Sequence, residues 1–246
     1  MSDHTKKDKM MHMTGHLTEL RNRIIVTMLT FVVTFIASLI FVRQIYMYFE
    51  SHVNIKLNVT GPADILWIYL TLASIIALVL TLPILSLQLW FFVKPGLTGR
   101  ERKLSLMYVP VVFILFVCGL VAGYLLFINL IMPFLLNLNK GMVNELFTVD
   151  KYFRFMLQVV VPFGLIFEIP IILMFLTSLE IITPQFLRKI RKYAYFALLI
   201  FGGMVTPPDV FLQIAVAIPL FLLYELSVYC CSIVYKRKLK RKAEDA

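Results

Sequence analysis

Six long apolar runs divide the chain, at roughly 24–42, 65–93, 104–136, 152–182, 193–205 and 210–235, and short polar gaps separate them. A hydrocarbon core ~30 Å thick is crossed by about 20 helical residues. Most of the runs meet or exceed that length. They lack the apolar/polar alternation of barrel strands, and in lipid each backbone N–H and C=O must find a partner within its own segment, so the runs predict helices. The first run follows a polar arm and is longer than the ~7–15 residues of a signal-peptide core, which predicts a retained anchor.

Small polar and glycine residues mark faces on which helices pack. Thr27, Thr30, Thr34 and Ser38 form a stripe along the first run, and Gly119 with Gly123 makes a small-xxx-small pair in the third. Both patterns suit close helix contact rather than lipid. Pro83, Pro110, Pro133, Pro162 and Pro170 each remove an intrahelical hydrogen bond and invite a kink, which predicts an irregular, concave bundle.

The fifth run is unusually short. Tyr193 to Val205 extends for about 20 Å at ~1.5 Å per residue, well under the hydrocarbon thickness. It stops at Thr206-Pro207-Pro208-Asp209, where the prolines end one helix and Asp209 can open the next. The last two runs therefore predict a hairpin with a shallow tip and a locally thinned membrane around it.

Charge then fixes a direction. Of the 24 Lys and Arg residues, 19 fall in every second gap: the N-terminal arm, 94–103, 183–192 and the tail from Lys236. Loops rich in Lys and Arg stay in the cytoplasm, so the alternation predicts six crossings with both termini inside. The expected organisation is a cytoplasmic arm over 1–23, a six-helix membrane domain over 24–235 and a basic tail over 236–246. With 60% hydrophobic residues the chain cannot hide its apolar surface in a soluble core. The net charge of +10 sits in cytoplasmic loops, where topology and anionic lipid headgroups account for it without nucleic acid.

Little in the chain suggests catalysis. No Gly-Lys dipeptide is present, so there is no Walker loop. His12 and His16 lack the acidic neighbour of a metalloprotease helix, and Cys118, Cys230 and Cys231 have no metal or redox spacing. No metal, cofactor or enzymatic activity is expected. Asn58-Val59-Thr60 matches a glycosylation sequon that matters only in a eukaryotic secretory pathway.

The acids say more. Glu19 and Glu101 stand among cations in the arm and the first basic loop. The plain account is local pairing, Glu19 with Arg23 at i, i+4 and Glu101 with Arg100 or Arg102. The functional account is an anionic pocket for a cationic ligand. Glu168 and Glu225 fall inside apolar runs, where a charge costs at least ~2.5–3.5 kcal/mol, so such residues usually face protein or a watery cavity. Glu168 is expected to be protonated or to pair with a polar group such as Gln213.

Several stretches together resemble the TatC family, the multi-spanning core of the twin-arginine protein translocase. They are Gly15-His16-Leu17-Thr18-Glu19-Leu20-Arg21-Asn22-Arg23, Trp90 to Leu97 followed by Glu101-Arg102-Lys103, Phe167-Glu168-Ile169-Pro170, Thr206 to Phe211, and Ile218-Pro219 leading to Tyr224-Glu225. The resemblance implies an all-α, glove-shaped bundle of six transmembrane helices, the last two short, in the cytoplasmic membrane of a prokaryote. It implies a receptor for twin-arginine signal peptides on folded cargo, driven by the proton-motive force. TatA/TatB-type single-span subunits and further copies of the chain would complete the complex. Residue by residue, Glu19 and Glu101 match the positions that read the arginine pair, and Arg21 and Phe92 match their neighbours. Glu168 matches the intramembrane acid; with Gln213 it is expected to make an intramembrane polar or partner contact. Pro207, Pro208 and Asp209 match the hairpin tip. Glu50-Ser51-His52-Val53-Asn54 lacks the proline that many members carry there.

Two carboxylates can each take one guanidinium through paired hydrogen bonds, a geometry lysine cannot copy. Residue chemistry alone also admits a secondary transporter with Glu168 as its proton or ligand site, but the two halves show no internal repeat. A membrane scaffold is the third reading. Binding of a twin-arginine but not a twin-lysine peptide separates the first reading from the other two.

Overall fold

The computed structural model describes residues 2–51, 58, 61–94, 106–138, 148–207 and 209–244, with the side chains of 2–17, 51, 62, 138 and 240–244 left aside. The described residues form helices α1 (Ser2–Ser51), α2 (Pro62–Val93), α3 (Tyr108–Leu126), α4 (Met132–Leu138), α5 (Val149–Ile166), α6 (Ile169–Ser178), α7 (Pro184–Lys189), α8 (Arg191–Val205) and α9 (Val210–Glu244). A parallel bridge between Asn58 and Thr148 is the one β-type pairing among them.

Five helical stretches are long and apolar enough to span a membrane: Thr18–Glu50, Ala63–Val93, Tyr108–Asn137, Val149–Ser178 and Val210–Leu239. The sixth expected span is α8, only 15 residues long. Helix α1 begins at Ser2 and α9 runs on to Glu244, so the described parts of arm and tail continue the helices of the first and last runs.

The chain packs as two units, residues 1–54 with 69–113 and residues 55–68 with 114–246. In the first unit α1 lies along α2. Thr27, Thr30, Thr34 and Ser38 each donate a hydrogen bond to a carbonyl one turn back, which satisfies the hydroxyl within the helix. Along this stripe Thr34 Oγ1 lies 3.1 Å from Thr81 Oγ1 of α2, and Ser38, Ala73 and Ala77 are buried. The opposite face of α1, including Ile25, Leu29 and Ile36, is exposed as lipid contact requires.

In the second unit α3 and α5 meet backbone to backbone. A Cβ added at Gly119 would stand 2.7 Å from Phe167 Cβ and 2.8 Å from Gly164 Cα. One added at Gly123 would stand 2.9 Å from Phe163 Cβ. The glycine pair is therefore a packing seam, as expected of small-xxx-small spacing. Phe116, Phe127, Phe153 and Phe163 fill the buried space around it.

Proline has two distinct effects. Between α3 and α4 a π-helical turn, Phe127–Ile131, precedes Pro133, and Met132 N–H reaches back to Phe127 O. The Asn129 amide donates to Leu125 O at 3.0 Å, a side-chain bond of the kind that makes an irregular turn tolerable in lipid. Before Pro170 the helix breaks at Phe167 and Glu168, which separates α5 from α6. Pro83, Pro162 and Pro219 lie inside helices that continue through them.

The hairpin of α8 and α9 turns at Thr206 and Pro207, and Asp209 Oδ1 accepts the Leu212 N–H at 2.9 Å, capping α9. Gly202 lets α8 close on α9, since a Cβ added there would stand 3.2 Å from Gln213 O. The Gln158 amide on α5 reaches Met204 O at 3.5 Å. Gln158 lies about 14 Å from the start of α5 at ~1.5 Å per residue, so the tip is recessed below that end of α5. Cys231 is fully buried with Leu187, Tyr224 and Val228, whereas Cys118 is exposed on α3 rather than packed.

Candidate functional site

Glu19 stands on α1 one turn before Arg23, and Arg23 is the hub of the pocket beside it. Its Nε donates to Glu19 Oε1 at 3.2 Å, and Nη2 also contacts that oxygen. Nη1 turns the other way and donates to Gln88 Oε1 on α2 at 3.1 Å. The guanidinium lies 5.3 Å from the centre of the Phe91 ring. Lys94 sits 5.2 Å from the Trp90 ring and 5.6 Å from that of Phe91. Glu19 and Arg23 are both partly open to solvent, at 35% and 23% side-chain exposure.

Glu19, Asn22, Arg23, Val26 and Gln88 line an open pocket of about 460 Å³. A smaller apolar groove of about 180 Å³ adjoins it, walled by Leu20, Ile24, Met28, Leu85, Leu89 and Phe92. Arg23 and Gln88 belong to both, so they form the partition. Chemically, the pair of cavities offers a carboxylate and an amide to a cation, and apolar walls to a hydrophobic segment attached to it.

The local account of Glu19, an i, i+4 pair with Arg23, is thus the geometry found, and it coexists with an open pocket at the same carboxylate. Arg21 is exposed one residue from the pocket-lining Asn22. Glu101, the second acid of the expected pair, lies outside the described residues, as does Pro208. Gln88 drew no notice in the sequence, where its one signal is a lone amide inside an apolar run.

In the second unit Glu168 is only 8% exposed, at the break between α5 and α6, and neither carboxylate oxygen has a hydrogen-bond partner among the described residues. The pairing expected with Gln213 is not formed. Gln213 Nε2 donates instead to Leu199 O at 3.0 Å across the hairpin, because Gly203 leaves it room there. Glu225 is not an isolated acid within an apolar run: Arg191 Nη2 donates to its Oε2 at 2.7 Å and Tyr195 OH to its Oε1. The sequence hid this partnership because 34 positions separate Arg191 from Glu225.

A family model described as Sec-independent protein translocase protein (TatC) matches residues 15–219. The chain belongs to the TatC family. It is 43% identical to the Sec-independent protein translocase protein TatCd of Bacillus subtilis, over 96% of this chain and 97% of that protein. It is 37% identical to the TatC protein of Halalkalibacterium halodurans, over 94% and 92%. A crystal structure described as the twin arginine translocase receptor TatC in DDM has a TM-score of 0.77 at 30% identity, covering 87% of this chain and 98% of that one. A second crystal structure of a twin arginine translocase receptor TatC gives 0.72 at 27%, covering 89% and 99%. This TatC-family chain is a multi-pass, all-helical membrane protein of a protein-transport family, and no groups of acids, histidines and cysteines fit to hold a metal occur among its described residues.

Proposed function

We propose that this chain is the twin-arginine signal-peptide receptor and core membrane subunit of a Tat translocase. It exports folded proteins across the cytoplasmic membrane of a prokaryote, with both termini in the cytoplasm. TatA/TatB-type single-span subunits join it, several copies assemble in the complex, and the proton-motive force supplies the energy. One observation carries the receptor reading: the Glu19 carboxylate opens on a pocket that shares its wall with an apolar groove.

The arrangement suits a ligand with guanidinium groups followed by apolar residues. Arg23 already holds Glu19, but a pair this exposed contributes only about 0–1 kcal/mol. An incoming arginine can therefore displace it at little cost. Gln88 and the Phe91 face keep Arg23 satisfied as it yields. Glu101 supplies the second carboxylate, and Arg21 and Phe92 complete the patch, Phe92 as part of the groove wall. Glu168 and Gln213 are intramembrane polar positions, Glu168 buried within its unit, and Pro207, Pro208 and Asp209 set the hairpin tip.

Photocrosslinking from Glu19 and Glu101 positions to a signal peptide tests the reading. Crosslinks are expected with the Arg-Arg peptide and lost with Lys-Lys. Glu19→Ala with Glu101→Ala should abolish signal-peptide crosslinking from a neighbouring probe at Phe92 while the protein stays inserted. Undiminished crosslinking in that double variant overturns the receptor assignment.

A further inference from the structure

The turn joining α7 to α8 carries more positive charge than the described acids around it neutralise. Arg188, Lys189, Arg191 and Lys192 fall within five positions. Glu225 is the acid that faces them, and it is engaged by Arg191 and by Tyr195 OH. Arg188 Nη2 meets only the neutral Ser232 hydroxyl, at 3.3 Å. Lys192 lies 5.1 Å from the Tyr193 ring centre, and Lys189 is exposed.

The other described carboxylates of this unit are committed elsewhere. Asp150 pairs with Arg154 and Glu180 with Lys238, Asp64 and Asp209 cap helix starts, and Glu168 is buried. Among the described carboxylates of the unit, none is left to balance Arg188, Lys189 and Lys192.

The position of the turn says what kind of anion suits them. Glu225 and Lys238 lie on one helix, about 20 Å apart at ~1.5 Å per residue. The basic turn is thus set well in from the end of α9 marked by Lys238. The stretch between carries exposed Leu226 and Tyr229, and Phe186 and Tyr193 are exposed on the turn itself. Cations beside membrane-facing apolar and aromatic side chains match the phosphate level of a bilayer, where aromatic rings gather and anionic headgroups attract Lys and Arg.

We infer that Arg188, Lys189 and Lys192 hold the phosphodiester of an anionic phospholipid, with Phe186 and Tyr193 against its acyl chains. Arginine offers the phosphate paired hydrogen bonds and the lysines add point charges. The lipid headgroup is drawn toward the short hairpin by this turn. The site is separate from the Glu19 pocket and rests only on the membrane-spanning fold.

The test uses the full chain in phosphatidylcholine vesicles containing 10% phosphatidylglycerol, with Trp67→Phe, Trp90→Phe and Phe186→Trp giving one reporter. Brominated phosphatidylglycerol should quench that tryptophan at least threefold more than brominated phosphatidylcholine at equal mole fraction. Lys189→Gln with Lys192→Gln, two exposed positions with little risk to folding, should bring the two lipids to parity. Replacing Lys236, Arg237 and Lys240 by glutamine should leave the excess intact. Parity in the parent protein, a persisting excess in the Lys189/Lys192 variant, or loss of the excess in the tail variant overturns the assignment. Inorganic phosphate at 50 mM should change nothing, and removal of the excess by it would assign the turn to a soluble anion instead.

Discussion

The Glu19 carboxylate is held by a guanidinium of its own helix, and this governs how a second guanidinium can reach it. Gln88 is the relief partner, since it accepts from Arg23 on the side away from Glu19. Gln88→Leu should make Arg23 cling to Glu19 alone. A lost hydrogen bond of about 1 kcal/mol corresponds to roughly fivefold weaker binding of a twin-arginine peptide, with the fold unchanged. Fluorescence anisotropy with a labelled peptide reads this directly, and unaltered affinity would remove Gln88 from the site. Gly119 is the counterpart in stability. Any side chain there meets backbone across the seam, so Gly119→Leu should cost upwards of about 1–3 kcal/mol and lower the detergent-solubilised Tm by several degrees.

Among the elements, the hairpin shows how a short helix is kept in register. Arg191 and Tyr195 of α8 both grip Glu225 of α9, the Gln213 amide crosses to Leu199 O, and Asp209 caps the start of α9. A double-mutant cycle on Arg191→Met and Glu225→Leu should give coupling of no more than about 1 kcal/mol, because both side chains are substantially exposed. Coupling indistinguishable from zero would reduce the contact to an incidental surface pair with no part in register. Asp209→Ala should cost about 1 kcal/mol through loss of the cap. Faster hydrogen exchange confined to residues 210–213 would report it.

For the whole molecule, topology is the property on which the receptor reading depends. Both ends are helical, from Ser2 and up to Glu244. In a background with Cys118, Cys230 and Cys231 replaced by alanine, Ser2→Cys and Glu244→Cys should react with an impermeant maleimide only after the cells are permeabilised. Labelling of either in intact cells would reverse the orientation and put the Glu19 pocket on the wrong side for cytoplasmic cargo.

Periodicity and length alone yielded the membrane helices, the short fifth segment and the proline-bounded tip, because each is a local property of an uninterrupted stretch of chain. The glycine seam was also legible, since small residues four apart share one helix face. Partners distant in sequence were not. Nothing near Glu225 points to Arg191, nothing near Arg23 points to Gln88, and Gln213 could as well have met Glu168 as Leu199. Hydrophobicity decides which segments enter the bilayer, residue by residue. Which polar group finds which inside it is settled only when the helices pack, because unpaired groups in a dry interior cost several kcal/mol each and the chain must search them out across helices.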